Sequence, residues 1–124
     1  MRLSKKDKYI REKAIKILKF TLKKKAIKPL ILDLRNLSGF CDYFIICSGE
    51  SQRQVRAIYE EVLESCKKEK IEIHHKEEDN ESQWLLIDFF EVVLHIFLEE
   101  KRKFYNIEHL WREAKKVRLP KNLL

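Results

Sequence analysis

Apolar residues recur every three or four positions from Ile10 through Ala14, Ile17 and Leu18 to Leu22, with lysines between them. That spacing predicts one amphipathic helix over about residues 4–26, and it ends near Lys28-Pro29 because a residue before proline is pushed out of the α region. Leu30-Ile-Leu-Asp-Leu34, bounded by Asn36, Ser38 and Gly39, then reads as a strand followed by a turn. Asp42-Tyr-Phe-Ile-Ile-Cys47 reads as a second strand, and its near-continuous apolar run fits burial on both faces. Ser51-Gln-Arg-Gln54 has the form of a capping box, with Gln54 reaching back to the Ser51 amide, and opens a helix of about twenty residues that turns Val55, Ile58, Tyr59, Val62, Leu63 and Cys66 inward. Ile71-Glu-Ile-His-His75 alternates as a third strand. Trp84–Asp88 and Val92–Phe97 are two more, joined as a hairpin around Phe89-Phe90-Glu91 with no Gly or Asn to supply a positive φ. A last helix over Glu99–Val117 places Phe104, Ile107, Leu110, Trp111 and Ala114 in phase before Pro120 stops it. The order predicts an α/β fold, a mixed five-stranded sheet with packed helices.

With 124 residues the chain is expected to form a single domain over 1–124. Two glycines and two prolines exclude turn-dense all-β and collagenous architectures. No apolar run approaches the ~18 residues of a membrane span, and lysines interrupt the N-terminal apolar positions where a signal peptide would need a continuous core. A cytoplasmic protein without membrane contact is expected. Cys41, Cys47 and Cys66 are an odd number with no Cys-x-x-Cys spacing, so they read as reduced, small core residues.

Charge is segregated along the chain. Residues 1–28 carry 12 basic and 2 acidic side chains, residues 29–114 carry 11 basic and 18 acidic, and the tail over 115–124 adds Lys115, Lys116, Arg118 and Lys121. A basic arm and tail thus frame an acidic body within a net charge of +7. Such a pattern suits a polyanion bound through counterion release, or simply a lysine-solvated helix.

Catalytic chemistry finds little support. Cys47, Ser48 and Ser51 form no local nucleophile signature with His74, His75, His95 or His109. Adjacent strand residues such as His74 and His75 point to opposite faces and cannot readily share a zinc ion. Ser48-Gly49-Glu50-Ser51 precedes a helix N-terminus but has one glycine, no following lysine and an internal carboxylate, a poor phosphate cradle. Neither Asp33 nor Asp88 has a second carboxylate at strand spacing to hold Mg²⁺. No catalytic residue, metal site or cofactor is therefore expected. Instead, Trp84, Leu86 and Asp88 alternate onto one strand face, as do Val93, His95 and Phe97 on the next. Trp84 is either core or an interface anchor, Arg102 and Tyr105 would flank it, and Trp111 falls on the core stripe of its helix.

Asp42-Tyr-Phe-Ile-Ile-Cys-Ser-Gly-Glu-Ser51 with Arg53-Gln54-Val55, Trp84-Leu-Leu-Ile-Asp88, Val92–Phe97 and Arg102-x-x-Tyr105-x-x-Glu108-x-x-Trp111 closely resemble the ribosomal silencing factor family, also called RsfS or Iojap-related. The likeness runs from about Leu30 to Ala114. It implies a nucleotidyltransferase-like fold without the catalytic residues. It further implies binding to the large ribosomal subunit through large-subunit protein fourteen, which would block joining of the small subunit and repress translation. Organellar relatives are linked to ribosome assembly. Carried onto this sequence, the contact surface would include Trp84 and Asp88, with Glu91, Arg102 and Tyr105 beside them and rRNA within reach of the basic termini. Two positions depart from the family: Phe90-Glu91 stands where Gly-Asp is usual, retaining a carboxylate, and Glu77-Glu78-Asp79-Asn80 replaces the usual Glu-Gly before the tryptophan. The alternatives are a nucleotidyltransferase-like enzyme and a nonspecific RNA-binding module, and an exposed sheet edge or aromatic face would also permit a homodimer.

Overall fold

In a computed structural model, which describes residues 3–123, Ser4 caps the first helix by accepting a hydrogen bond from the Asp7 amide at 3.0 Å. Helix α1 spans Lys5–Leu22 and buries Ile10, Ala14, Ile17 and Leu18, as their spacing predicts. Arg2 of the basic arm and Leu124 of the tail lie outside the described residues. Strand β1 (Ile27–Asp33) begins earlier than expected and accommodates Pro29 at an irregularity between Ile27 and Leu30, where Lys28 takes φ 45°. Proline donates no ladder hydrogen bond, so such a break is where a strand can hold it.

Strand β2 (Tyr43–Gly49) is buried along its whole length. Helix α2 (Gln52–Glu69) starts at Ser51, whose hydroxyl accepts from the Gln54 amide at 3.1 Å. The other half of the expected capping box is displaced by one residue: Gln54 Oε1 accepts from the Glu50 amide at 2.7 Å, not from Ser51. The third strand also shifts, to β3 (His75–Glu77), leaving Ile71 and Ile73 half-buried against the core. Strands β4 (Trp84–Asp88) and β5 (Val92–Leu98) form the expected antiparallel hairpin.

The predicted last helix is broken. Helix α3 (Glu99–Tyr105) ends at Asn106 in the left-handed conformation, φ 44°, and a short helix α4 (Ile107–Leu110) follows. Asparagine tolerates that conformation better than most residues, and the break leaves Phe104 and Leu110 exposed instead of in the core. The chain then forms β6 (Lys115–Lys116) on the edge of β1, a sixth strand beyond the five expected. The sheet order is β3-β4-β5-β2-β1-β6, with β2 and β5 parallel and the other neighbours antiparallel.

Helices α1 and α2 cover one face of this sheet, sealing Tyr43, Ile45, Cys47, Leu85, Ile87, Leu94 and Ile96 beneath them. The opposite face carries a smaller cluster around Leu32, Phe44, Ile46, Val93 and Phe97, covered only in part by α3, α4 and Trp111. The mixed α/β class read from the periodicities is the observed one.

Candidate functional site

The half-covered face follows from strand alternation. Trp84, Leu86 and Asp88 of β4 sit opposite Phe97, His95 and Val93 of β5, which in turn pair with Ser48, Ile46 and Phe44 of β2. Trp84 stacks on Phe97 at 4.8 Å between ring centroids and meets Tyr105 at the same distance, while Tyr105 remains 48% exposed. Phe44 continues the row to Trp111 at 6.0 Å and Phe40 at 6.2 Å, with Phe40 66% exposed. Aromatic pairs in these tilted and edge-on arrangements gain about 0.5–1.5 kcal/mol beyond their burial. Trp111 is therefore packed, as its helical phase suggests, but on this outer face.

Trp84 is held through both its side chain and its backbone. Its Nε1 donates to His95 Nδ1 at 3.1 Å, and its backbone amide donates to the Asp79 carboxylate at 3.2 Å. Burial alone lowers the His95 pKa from 6.5 to about 4, so the ring is neutral and carries its proton on Nε2. Among the described residues that Nε2 has no hydrogen-bond partner. His95 and Phe97 thus form the floor on which the tryptophan rests, and their alternation with Val93 on β5 is the signal for that role in the sequence.

Arg102 is inside the protein, 7% exposed. Its guanidinium donates to Glu108 at 2.8 Å, Ser48 Oγ at 3.0 Å, the Lys28 carbonyl at 2.9 Å and the Ile27 carbonyl at 3.2 Å. Ser48 in turn donates to Glu99 at 2.8 Å. The arginine joins α3, α4, β2 and the irregular start of β1, and presents no free donor fork to a partner. It is buried where Tyr105 is exposed, so the two do not form one surface. The Arg102-x-x-Tyr105-x-x-Glu108-x-x-Trp111 spacing thereby acquires a geometric meaning: buried brace, exposed ring, brace partner, packed ring.

Asp88 and Glu91 lie at the far end of the hairpin from Trp84. The Asp88 carboxylate accepts from the Phe90 amide at 2.8 Å, holding Phe90 at φ 78° in the turn that lacks glycine. Phe90 leans on His74 at 4.7 Å. Glu91 is drawn toward α1 by Lys13 at 3.5 Å. Between them opens a cleft of about 400 Å³ that also exposes Phe40 and Asp42. Burial, with the charges of Asp7 and Glu91, raises the Asp42 pKa. The structure therefore unites Trp84 with Tyr105, sets Asp88 on the same face, turns Glu91 toward the helices and buries Arg102.

Reactive groups are arranged for packing. Burial pushes the thiols of Cys41 and Cys66 to about 11 and that of Cys47 to about 12, leaving them protonated and poorly nucleophilic. Asp33, on β1, is bound to Arg35 at 2.7 Å and is separated from Asp88 by β2 and β5. Among the described residues no three His, Cys, Asp or Glu side chains gather as a metal site, and no helix is long and apolar enough to cross a membrane.

These features define an α/β protein with one helix-covered face and one aromatic face left half open, whose candidate site is a surface rather than a pocket. The family model described as "Ribosomal silencing factor during starvation" matches residues 7–123, and the chain belongs to that family. The ribosomal silencing factor RsfS of Halalkalibacterium halodurans is 38% identical over 96 residues, covering 77% of this chain and 82% of that protein. The RsfS of Bacillus subtilis is likewise 38% identical, over 73% of this chain and 77% of its own length. Chloroplastic Iojap of Zea mays is 32% identical over 86% of this chain and 46% of the longer plant protein. A crystal structure of a Bacillus halodurans protein superposes with a TM-score of 0.74 at 33% identity, covering 90% of this chain and 99% of that one.

Proposed function

We propose that this chain binds the large ribosomal subunit through large-subunit protein fourteen and, by occupying that surface, prevents the small subunit from joining, so that translation is repressed in the cytoplasm. The observation that carries the reading is the half-open pair of Trp84 and Tyr105 resting on the buried Phe97, a packed but partly uncovered aromatic patch of the kind that concentrates binding energy. Asp88 on the same face supplies a carboxylate for a cationic partner, whereas Glu91 is paired with Lys13 on the helix side. Arg102 contributes by holding α3 and Tyr105 in place. Truncating a desolvated tryptophan at such an interface costs about 2–4 kcal/mol. Occlusion requires only competition: a blocker at about 100 times its Kd that binds the free subunit alone disfavours joining by roughly 2.7 kcal/mol. No catalytic step enters this mechanism.

The test is co-sedimentation with large subunits, small subunits and joined ribosomes at physiological salt. Wild type is expected to pellet with large subunits alone. Trp84→Glu and the more exposed Tyr105→Glu, each verified as folded by circular dichroism, are expected to stay in the supernatant. Equal binding to all particles, indifferent to both substitutions, would overturn the reading.

A further inference from the structure

The segregated charge of the sequence reassembles in space. After β6 the chain buries Val117, whose amide donates to the Ile31 carbonyl at 2.8 Å, and lays Leu119 and Leu123 against the helix-side core. Leu123 shares a groove with Lys16, Lys19, Phe20 and Lys23 of α1 and its end, and with Glu69 of α2. The tail's Lys115, Lys116, Arg118 and Lys121, all exposed, therefore run from the β1 edge toward a helix at the other end of the sequence.

Ion pairing sorts the cations of α1. Lys16 and Lys23 meet Glu69 and Glu61 of α2 at 2.6 and 3.8 Å, so the flank toward α2 is neutralised. Among the described residues, Lys5, Lys8, Lys19, Lys24 and Lys25 have no carboxylate within 4 Å. Lys8 and Lys19 are eleven residues apart, three turns and about 16 Å along one helix face. The apolar residues of this helix are spent in the core: Ile10, Ala14, Ile17 and Leu18 are at most 2% exposed. A bilayer would find little apolar surface here to bury.

We infer that the surface formed by α1 and the C-terminal tail binds RNA through its phosphates, and that it does so on the side of the sheet opposite Trp84, so that RNA and a protein partner on the aromatic face can be held at once. This depends on the proposed function only for the source of the RNA, the ribosome.

The test uses fluorescence anisotropy of the full chain with a fluorescein-labelled RNA hairpin between 50 and 200 mM KCl. Contacts to about five phosphates predict a loss of affinity on the order of a hundredfold across that range. The triple variant Lys8→Glu, Lys19→Glu, Lys121→Glu, all at exposed positions, is expected to weaken binding at least tenfold and to flatten the salt slope. Tyr105→Glu is expected to leave RNA affinity unchanged. RNA binding unaffected by the triple variant would overturn the inference, as would binding to phosphatidylserine vesicles without binding to RNA. Wild type that binds the hairpin but fails to sediment with large subunits would instead refute the proposed function and leave this inference standing.

Discussion

Phe90 is the residue at which local rules are most plainly broken. It occupies the first central position of a two-residue turn, closed by the Phe89 amide donating to the Val92 carbonyl at 2.7 Å, with a positive φ that ordinarily selects glycine. A bulky residue there stores about 1–3 kcal/mol of backbone strain. Against this stand its contact with His74 and the greater chain entropy that glycine would add to the unfolded state, about 0.5–1 kcal/mol. Strain is the larger contribution. Phe90→Gly is therefore expected to raise stability by about 0.5–1 kcal/mol and Tm by about 2–5 °C in thermal unfolding. A fall of similar size would show that the Phe90 and His74 rings together outweigh the strain. The hairpin and its missing glycine were both legible in the sequence. The Asp88 carboxylate that captures the Phe90 amide was not, because an acidic residue at a strand end reads equally well as solvated.

Among the elements, legibility followed period and length. The two long helices and the buried β2 were plain because many residues repeat one signal. The final helix misled because Phe104, Ile107, Leu110 and Trp111 keep helical spacing across Asn106, where the backbone turns left-handed and separates α3 from α4. Two residues of β6 have no period at all. The elbow between the short helices is then held by Arg102, whose burial could not be read from a charged residue in an amphipathic run. Arg102→Ala would leave the Glu108 carboxylate, the Ser48 hydroxyl and the carbonyls of Ile27 and Lys28 without their donor. The expected cost is about 3 kcal/mol in urea unfolding. Arg102→Lys keeps the charge but not the fork and should recover only part of that loss. Near-UV circular dichroism should report the loosened Trp84 and Tyr105 pair in both variants; an unchanged spectrum would detach the brace from the aromatic face.

Across the whole molecule, the arm, body and tail charges read from the chain predict the segregation that folding produces, although nothing in the sequence told which sheet face each would occupy. The basic side lies along α1, β1 and β6, and acidic residues gather around β3 and the loop before β4. A molecule at +7 that takes up further protons repels itself more strongly, so acid should destabilise it. His95 adds a second, local source. Its folded pKa of about 4 lies below the ordinary 6.5, so between those values the unfolded chain binds a proton that the folded chain excludes. Its stabilisation is complete above pH 6.5 and is lost as pH falls toward 4. Salt separates the two sources, because surface repulsion is screened over about 10 Å at 0.1 M and less at higher salt, whereas burial of an imidazole is not. Urea unfolding from pH 7 to 4.5 is expected to show falling stability whose slope is reduced but not abolished at 0.5 M NaCl. His95→Gln, which can still offer Trp84 an acceptor, should remove up to one proton from the remaining slope. If that slope is unchanged, the acid response belongs to the charged surface and not to the floor beneath Trp84.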